Sequence, residues 1–382
     1  MNILRVAILT AGLGMSGPAL AQPAPTLSSS VEAGWTSNAQ AIAGGTSDSY
    51  LTTTHTIGLA MPGEDFALRG AIFFEDTRYG VLWRENDWST SLTLDADARP
   101  LPETALRGSL ILSYEEEGQA LGLVGVTLPT LSALARLRAE TALGRAILGT
   151  DLAYGATRPG ETRFEGGFLP DTRTEAITDT IIAGLDIAHS IAPAVALTVR
   201  AQYLATLVSS DEQAIFARLP VSVARLAAGF ELEDAAASLS LRGGIDAILP
   251  HDQSIDALAT PHTALATQLQ LSDTLTLAAT FDAGAETGDP ADGLADWRLK
   301  ARGSILITPV PQWALEAALF AGQRRSPALD VTIETERGAE LIARWMPLGG
   351  LRLEALARYR RVEGLAPAYD ETRIGLRISA AI

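Results

Sequence analysis

Few side chains in this chain have types and spacing suited to catalysis. It has four histidines, His55, His189, His251 and His262, and no cysteine. No G-x-S-x-G, H-E-x-x-H or paired-carboxylate motif accompanies these histidines, so no nucleophile is matched with a base. The absence of cysteine excludes disulfide scaffolds, zinc fingers and iron–sulfur sites. We therefore expect no enzyme activity, no catalytic residue, no metal site and no cofactor.

Charged side chains recur at alternate positions in the last five predicted strands. A wall of basic groups facing acidic groups across a water-filled pore would set up a transverse field that selects polar solutes. The alternative is that the charges only pair with one another, to solvate an inner surface or to fill it. Glu354 belongs to this set, and the predicted pore-lining residues are Arg298, Lys300, Arg302, Glu316, Glu334, Glu336, Glu340, Arg344, Arg352, Arg358, Arg360, Arg373 and Arg377.

Acidic residues concentrate in several predicted loops, including Glu115, Glu116 and Glu117. Such carboxylates could bind divalent cations or bridge to lipopolysaccharide. Their spacing does not fit the EF-hand template, which favours a solvated acidic rim. The formal net charge is −16, Lys300 is the only lysine and there is no basic run, so nucleic-acid binding is not expected.

The elements that would position these side chains are strands, because the dominant pattern has a period of two. From Trp88 to Ala98, even positions are mostly apolar and odd positions are Ser, Thr or Asp. Successive side chains of a strand point to opposite faces, so such a segment has one apolar and one polar wall. The same pattern predicts strands at 29–37, 50–60, 66–76, 86–98, 104–115, 131–140, 144–156, 176–188, 194–208, 219–232, 236–248, 262–271, 274–284, 296–307, 312–323, 331–346, 350–362 and 371–382.

Alternating strands joined by short turns on one side and longer loops on the other are typical of a transmembrane β-barrel. Hydrocarbon offers no hydrogen-bond partner, so a sheet can cross a bilayer only when it is closed. A periplasmic β-sandwich or solenoid is the soluble alternative, but its core could not bury so many charged groups. We predict an all-β, transmembrane, antiparallel, up-and-down β-barrel of about 18 strands (16 to 18), with its apolar face outward and both termini periplasmic.

Aromatic residues on the predicted outer face lie near strand ends, where an amphipathic ring meets the membrane interface. This predicts two girdles. The members near long loops are Trp35, Phe74, Trp88, Tyr114, Tyr154, Tyr203, Phe281, Trp297 and Tyr359, and those near short turns are Phe66, Trp313 and Trp345.

The first 21 residues have the form of a secretory signal peptide, with an apolar run and a small-x-small cleavage site before Gln22. A G-x-G-x-x-G match at Gly12, Gly14 and Gly17 lies inside this segment and follows no strand, so it predicts no dinucleotide site. The predicted organisation is a signal peptide (1–21), a short periplasmic tail (22–28) and one outer-membrane barrel (29–382).

The connection 116–130 is unusually apolar for a solvent loop, with Leu121, Leu123 and Val126 among its residues. Two interpretations are open. The segment could fold into the barrel as a constriction, or it could be an extra hairpin that changes the strand count.

Two segments resemble the putative β-barrel porin-2 type of Gram-negative outer-membrane proteins. One is Val31-Glu32-Ala33-Gly34-Trp35-Thr36-Ser37-Asn38 followed by Ser47-Asp48-Ser49-Tyr50-Leu51, and the other runs from Ala96 through Arg99-Pro100-Leu101-Pro102 to Ser109. The resemblance implies an outer-membrane channel, in some members associated with exopolysaccharide export, and it brings no catalytic residues.

The predicted function is a porin-like channel that passes small hydrophilic solutes through a charged lumen. The alternatives are an exit pore for a secreted exopolysaccharide and a closed structural barrel. Expected partners are outer-membrane lipid, lipopolysaccharide and the barrel-assembly machinery, with a homotrimer left open as the assembly state.

Overall fold

The computed structural model describes residues 23–121, 124–165, 169–252, 254–287 and 295–382. The predicted signal peptide lies outside these residues. Eighteen strands pair antiparallel in chain order, and the last pairs with the first, so the sheet closes into a barrel. A further two-residue strand attaches to the wall outside this ring. The predicted fold class, an antiparallel barrel of about 18 strands, is confirmed.

The barrel strands are β1 (Ala24–Thr36), β2 (Asp48–Met61), β3 (Phe66–Tyr79), β4 (Asp87–Leu101), β5 (Thr104–Leu121), β6 (Val124–Leu143), β7 (Ala146–Pro159), β9 (Thr178–Ala192), β10 (Val195–Leu207), β11 (Val221–Glu233), β12 (Ala237–Pro250), β13 (Leu258–Ser272), β14 (Leu275–Glu286), β15 (Asp296–Val310), β16 (Trp313–Ser326), β17 (Val331–Leu348), β18 (Leu351–Gly364) and β19 (Tyr369–Ala381). The short strand β8 is Arg163–Phe164. The loops that the structure describes include a 3₁₀ turn at Trp83–Glu85 and the helix α1 at Ser210–Phe216. Neither these nor any other described segment forms a helix long and apolar enough to span a bilayer.

Connections at one end of the barrel are turns of two to four residues, and those at the other end are mostly longer. We call these the short-turn end and the long-loop end. Both ends of the described chain lie at the short-turn end, where the backbone N–H of Leu27 donates to the carbonyl of Ile382. An even number of strands requires this arrangement, because each strand reverses the direction of the one before it.

The first strand begins earlier than the sequence predicts. Ala24 already pairs with Ala60 of β2, so residues 24–28, predicted as part of a tail, belong to the barrel wall. The prediction of a tail over these residues was therefore wrong. The physical reason is that β2 extends to Met61, and the backbone groups at its end need hydrogen-bond partners in an apolar setting.

The described residues of the segment 116–130 do not form an extra hairpin. They lengthen the existing β5–β6 hairpin, and the barrel keeps 18 strands. Gly118 of this extension lies against the β3–β4 loop, where a Cβ atom would come within 2.5 Å of the carbonyl oxygens of Arg84 and Asn86. Val126 pairs with Phe164 of β8 and is only 3% exposed. The apolar side chain therefore packs against neighbouring loops.

The outer wall is apolar and carries aromatic residues near both of its ends. Aliphatic side chains such as Leu319 (69% exposed) and Leu376 (66% exposed) face outward. Near the long-loop end, the ring of Trp88 lies 5.2 Å from that of Tyr114. Near the short-turn end, Trp313 stacks on Trp345 at 5.6 Å. The alternation of the sequence thus produces an outer face suited to a bilayer with interfacial rings.

Candidate functional site

The inner wall carries most of the charged side chains of the last five strands. On β19 the outward residues Ile374, Leu376 and Ile378 are each more than half exposed, and Arg373 and Arg377 take the alternate, inward positions. Because neighbouring strands are in register, inward charges of one strand face those of the next. The inner wall is therefore where the candidate site must be sought.

One group of these charges forms a chain of ion pairs that begins on β15. A terminal nitrogen of Arg302 lies 3.0 Å from Glu316 and 2.7 Å from Glu340. Glu316 also accepts a hydrogen bond from Arg344 at 3.1 Å, and Arg344 donates to Glu354 on β18 at 3.0 Å. Glu316, Glu340 and Glu354 are thus each bound by at least one arginine. We call this group, together with its continuation to Glu32, the charge ladder.

The ladder continues across the seam where the barrel closes. Arg377 lies 3.5 Å from Glu354 and also pairs with Glu32 of β1. Glu32 is only 3% exposed, and it accepts further hydrogen bonds from the Tyr50 hydroxyl at 2.7 Å and from Arg373 at 3.2 Å. Charge-assisted hydrogen bonds of this kind are stronger than neutral ones. Glu32 therefore ties the first strand to the last.

A second group surrounds a small cavity between β18 and β19. The cavity measures about 210 Å³ and is lined by Arg358, Arg360, Arg373 and Glu371. Arg360 pairs with Glu371, and Glu336 lies 3.4 Å from Arg358 and 3.9 Å from Arg360. We call this cavity the arginine pocket. Three guanidinium groups and one carboxylate thus line this common cavity.

The remaining predicted wall residues lie apart from both groups. Arg298 and Lys300 pair with Glu286 of β14 at 3.4 and 3.6 Å. Arg352 lines a cavity of about 930 Å³ at the short-turn end, and Glu334 lies near the long-loop end of β17. The thirteen predicted residues are thus spread over the height of the barrel and do not form one ring.

Part of the lumen near the long-loop end is occupied by the end of β14. The pairing of β14 with β13 stops at Ala283 and Thr263, although β14 continues to pair with β15 as far as Glu286. The indole N–H of Trp297 reaches the carbonyl of Pro261 on β13, across the position that β14 has left. The last residues of β14 therefore turn away from the sheet plane.

A buried ion pair holds this turned end. The carboxylate of Asp246, fully buried on the inner face of β12, accepts hydrogen bonds from Arg225 at 2.8 and 3.1 Å. The same carboxylate accepts the backbone N–H of Ala285 at 2.7 Å, and Arg225 donates to the Ala285 carbonyl at 2.9 Å. Gly284 permits the approach, since a Cβ there would lie 2.6 Å from His262. We call this arrangement the β14 clamp.

Apolar side chains complete the contact. Val221 and Val223 of β11 and Ile248 of β12 are at most 2% exposed and pack with Ala285 and Ala295. These two alanines flank the β14–β15 loop, so both stems of that loop lie against the inner wall. The stems of this loop therefore narrow the described lumen near the long-loop end.

Several residues of the site were not predicted from the sequence. Tyr50 and Phe320 face inward. The sequence analysis placed aromatic residues on the outer face only. His262 lies on the inner wall 3.8 Å from Asp246. The sequence does hold a signal for the two inward rings. Each lies at one of the alternate positions that form the polar face of its strand, and each is paired with a glycine on the neighbouring strand. Among the described residues, no cluster of three or more histidine and acidic side chains could hold a metal ion.

Comparison with known proteins gives a match of fold only. No family model matches the chain, and no curated protein matches it in sequence. Similar solved structures are the copper transporter OprC (9% identity, TM-score 0.58), the ferric enterobactin receptor PfeA from Pseudomonas aeruginosa (10%, 0.54) and the siderophore receptor PirA from Acinetobacter baumannii (7%, 0.51). Each alignment covers 94% of this chain and 80% of the other. The resemblance to the porin-2 type is not confirmed beyond an outer-membrane-type barrel.

Proposed function

We propose that this protein is an outer-membrane channel that passes small hydrophilic solutes by diffusion. The observation that carries the proposal is the inner wall, on which the charge ladder and the arginine pocket line the lumen of a closed 18-strand barrel. Barrels of 16 to 18 strands are wide enough for an aqueous channel, whereas outer-membrane transporters with 22 strands have a plugged lumen. The structural neighbours, which are named as transporters and receptors, support a role in passage across the outer membrane.

The β14 clamp supports selection by size. The turned end of β14 rests on Val221 and Val223, so it reduces the open section near the long-loop end. At the short-turn end, the lining of the cavity of about 930 Å³ includes Ser28 and Ser30, whose hydroxyls offer hydrogen bonds to hydrated solutes. A wide section at the short-turn end and a narrower one near the long-loop end favour small solutes over polymers.

Single-channel recording in planar bilayers tests this proposal. Purified, folded protein is expected to give discrete current steps with small salts. Added dextran of increasing length should leave the steps unchanged once its chains are too large to enter. Folded protein that inserts without giving steps would contradict the proposal and favour a closed structural barrel. Entry of long dextran chains would favour the exopolysaccharide exit pore.

A further inference from the structure

The arginine pocket brings like charges together in an unusual way. Arg358 of β18 and Arg373 of β19 are direct cross-strand partners on the inner wall. Arg360 follows two residues later on the same face and lines the same cavity. Like charges directly opposite each other in a sheet are destabilising. An arrangement of this kind needs either acceptor groups or a bound anion to offset the repulsion.

Aromatic rings hold two of the guanidinium groups in place. The guanidinium carbon of Arg373 lies 4.0 Å from the ring centre of Tyr50, and that of Arg358 lies 4.8 Å from the ring centre of Phe320. Such stacking orients the planar guanidinium without using its N–H donors. The donors that do not already bind Glu32 or Glu336 therefore remain available to a ligand.

The rings in turn lie in places that only glycine leaves open. A Cβ atom on Gly34 would lie 2.4 Å from the hydroxyl of Tyr50, and one on Gly338 would lie 2.3 Å from the ring of Phe320. Each ring thus lies flat against the backbone of the neighbouring strand. This fixes the rings, and with them the arginines, before any ligand arrives, which lowers the entropic cost of binding.

The carboxylates around the pocket use only part of its donors, and Glu371, which lines the pocket, pairs with Arg360. Glu32 is already bound by Arg377 and by Tyr50, so it is only partly available to Arg373. Glu336 reaches Arg358 only at 3.4 Å. The Nε atoms of Arg358 and Arg373 are both buried and have no hydrogen-bond partner among the described residues. The side chains of Arg358 (39% exposed) and Arg373 (36% exposed) nevertheless open on the pocket, so their terminal N–H groups can reach a ligand there.

We propose that the arginine pocket binds a small oxyanion, of the phosphate or carboxylate class, on the inner wall of the barrel. The oxyanion would accept hydrogen bonds from Arg358 and Arg373 and would offset the repulsion between them. The proposal rests on the proposed function in one respect, since the lumen is the route by which the anion arrives. The proposed site would prefer anions although the formal net charge of the whole chain is −16.

The test is an equilibrium measurement on the folded protein in detergent. Inorganic phosphate is titrated by calorimetry at constant ionic strength in a chloride background, and acetate is titrated in parallel. We expect saturable binding with one site per chain, and the stronger of the two ligands identifies tetrahedral or planar oxyanions as the preferred class. R358Q and R373Q should each weaken binding at least tenfold. R242Q is the matched control: Arg242 of β12 pairs with Glu231 on the same inner wall but away from the pocket, so this variant should bind phosphate as the unmodified protein does.

The outcomes separate this proposal from the channel itself. The proposal is overturned if neither anion shows saturable binding. It is also overturned if R358Q and R373Q bind phosphate as tightly as the unmodified protein does. If R358Q does not fold, R358K keeps the charge but loses the fork and the stacking, so it should fold and still bind phosphate less tightly. Conductance of the same preparation is recorded separately. A barrel that binds phosphate without conducting would overturn the proposed function and leave the oxyanion site standing, and a conducting barrel without binding would do the reverse.

Discussion

The β14 clamp gives the sharpest prediction, because a single carboxylate holds the turned end of the strand. Replacing Asp246 with asparagine keeps the size of the side chain and removes its charge. In the structure this carboxylate accepts two hydrogen bonds from Arg225 and one from the backbone of Ala285. The variant leaves Arg225 buried beside a neutral group, and it weakens the hydrogen bond to Ala285.

The magnitude follows from the number of contacts that change. Hydrogen bonds to charged groups contribute about 1.5–3 kcal/mol each, and breaking a buried ion pair costs about 3–5 kcal/mol. The amide oxygen of the substituted side chain would still accept one hydrogen bond, so the turned end of β14 should lose about 2–3 kcal/mol of local stability. This corresponds to a roughly 30- to 150-fold increase in the detached population, at about 1.4 kcal/mol for each factor of ten.

Hydrogen exchange of the Ala285 amide measures this population directly. Exchange at this amide requires the end of β14 to leave the clamp, so Asp246→Asn should speed it by the factor given above. Asp95→Asn, on the inner wall of β4, is the control and should leave exchange at Ala285 unchanged. A folded Asp246→Asn variant whose Ala285 amide exchanges within about threefold of the unmodified rate would refute the clamp as the element that holds this segment. Larger or noisier single-channel currents in the variant would further indicate that this segment narrows the pore.

Three other substitutions test the packing of the wall. Gly34→Ala places a Cβ 2.4 Å from the Tyr50 hydroxyl and should lower the free energy of unfolding by about 1–3 kcal/mol. The measurement is the urea midpoint of the folded barrel in vesicles, which should fall. Gly303→Ala is the control, because the space around its new Cβ is open. Glu32→Gln should destabilise the seam by about 3–5 kcal/mol in the same assay, and an unchanged midpoint would show that the ladder does not hold β1 to β19. Leu319→Arg, on the outer face at 69% exposure, should cost about 2–4 kcal/mol in a bilayer if that position lies near the midplane, and no loss of stability there would contradict the placement of lipid against this wall.

The strands were predictable because their determinant is local. Alternation over ten or so residues shows in the sequence itself, and all 18 barrel strands overlap the segments that it predicts. Their ends were less accurate, as β1 and the β5–β6 hairpin show. A strand ends where its partner ends, so its length depends on a neighbour that local pattern does not reveal.

The candidate site was predictable only as a face. The alternation of apolar and polar positions assigns Arg358 and Arg373 to the polar wall, but it does not indicate that they lie directly opposite each other. The same alternation does not show that Arg302 of β15 reaches Glu340 of β17, two strands away. The sequence determined which side chains face water and which face the outside, since period-two alternation follows from backbone geometry alone.

Only the tertiary structure decided which of these charges meet and where the lumen narrows. The height of each side chain in the barrel depends on strand register and on the stagger needed to close 18 strands into a ring. The turn of β14 into the lumen likewise depends on Asp246 and Arg225, which lie more than thirty residues before the segment that they hold. These are properties of the closed barrel as a whole, and no window of the sequence contains them.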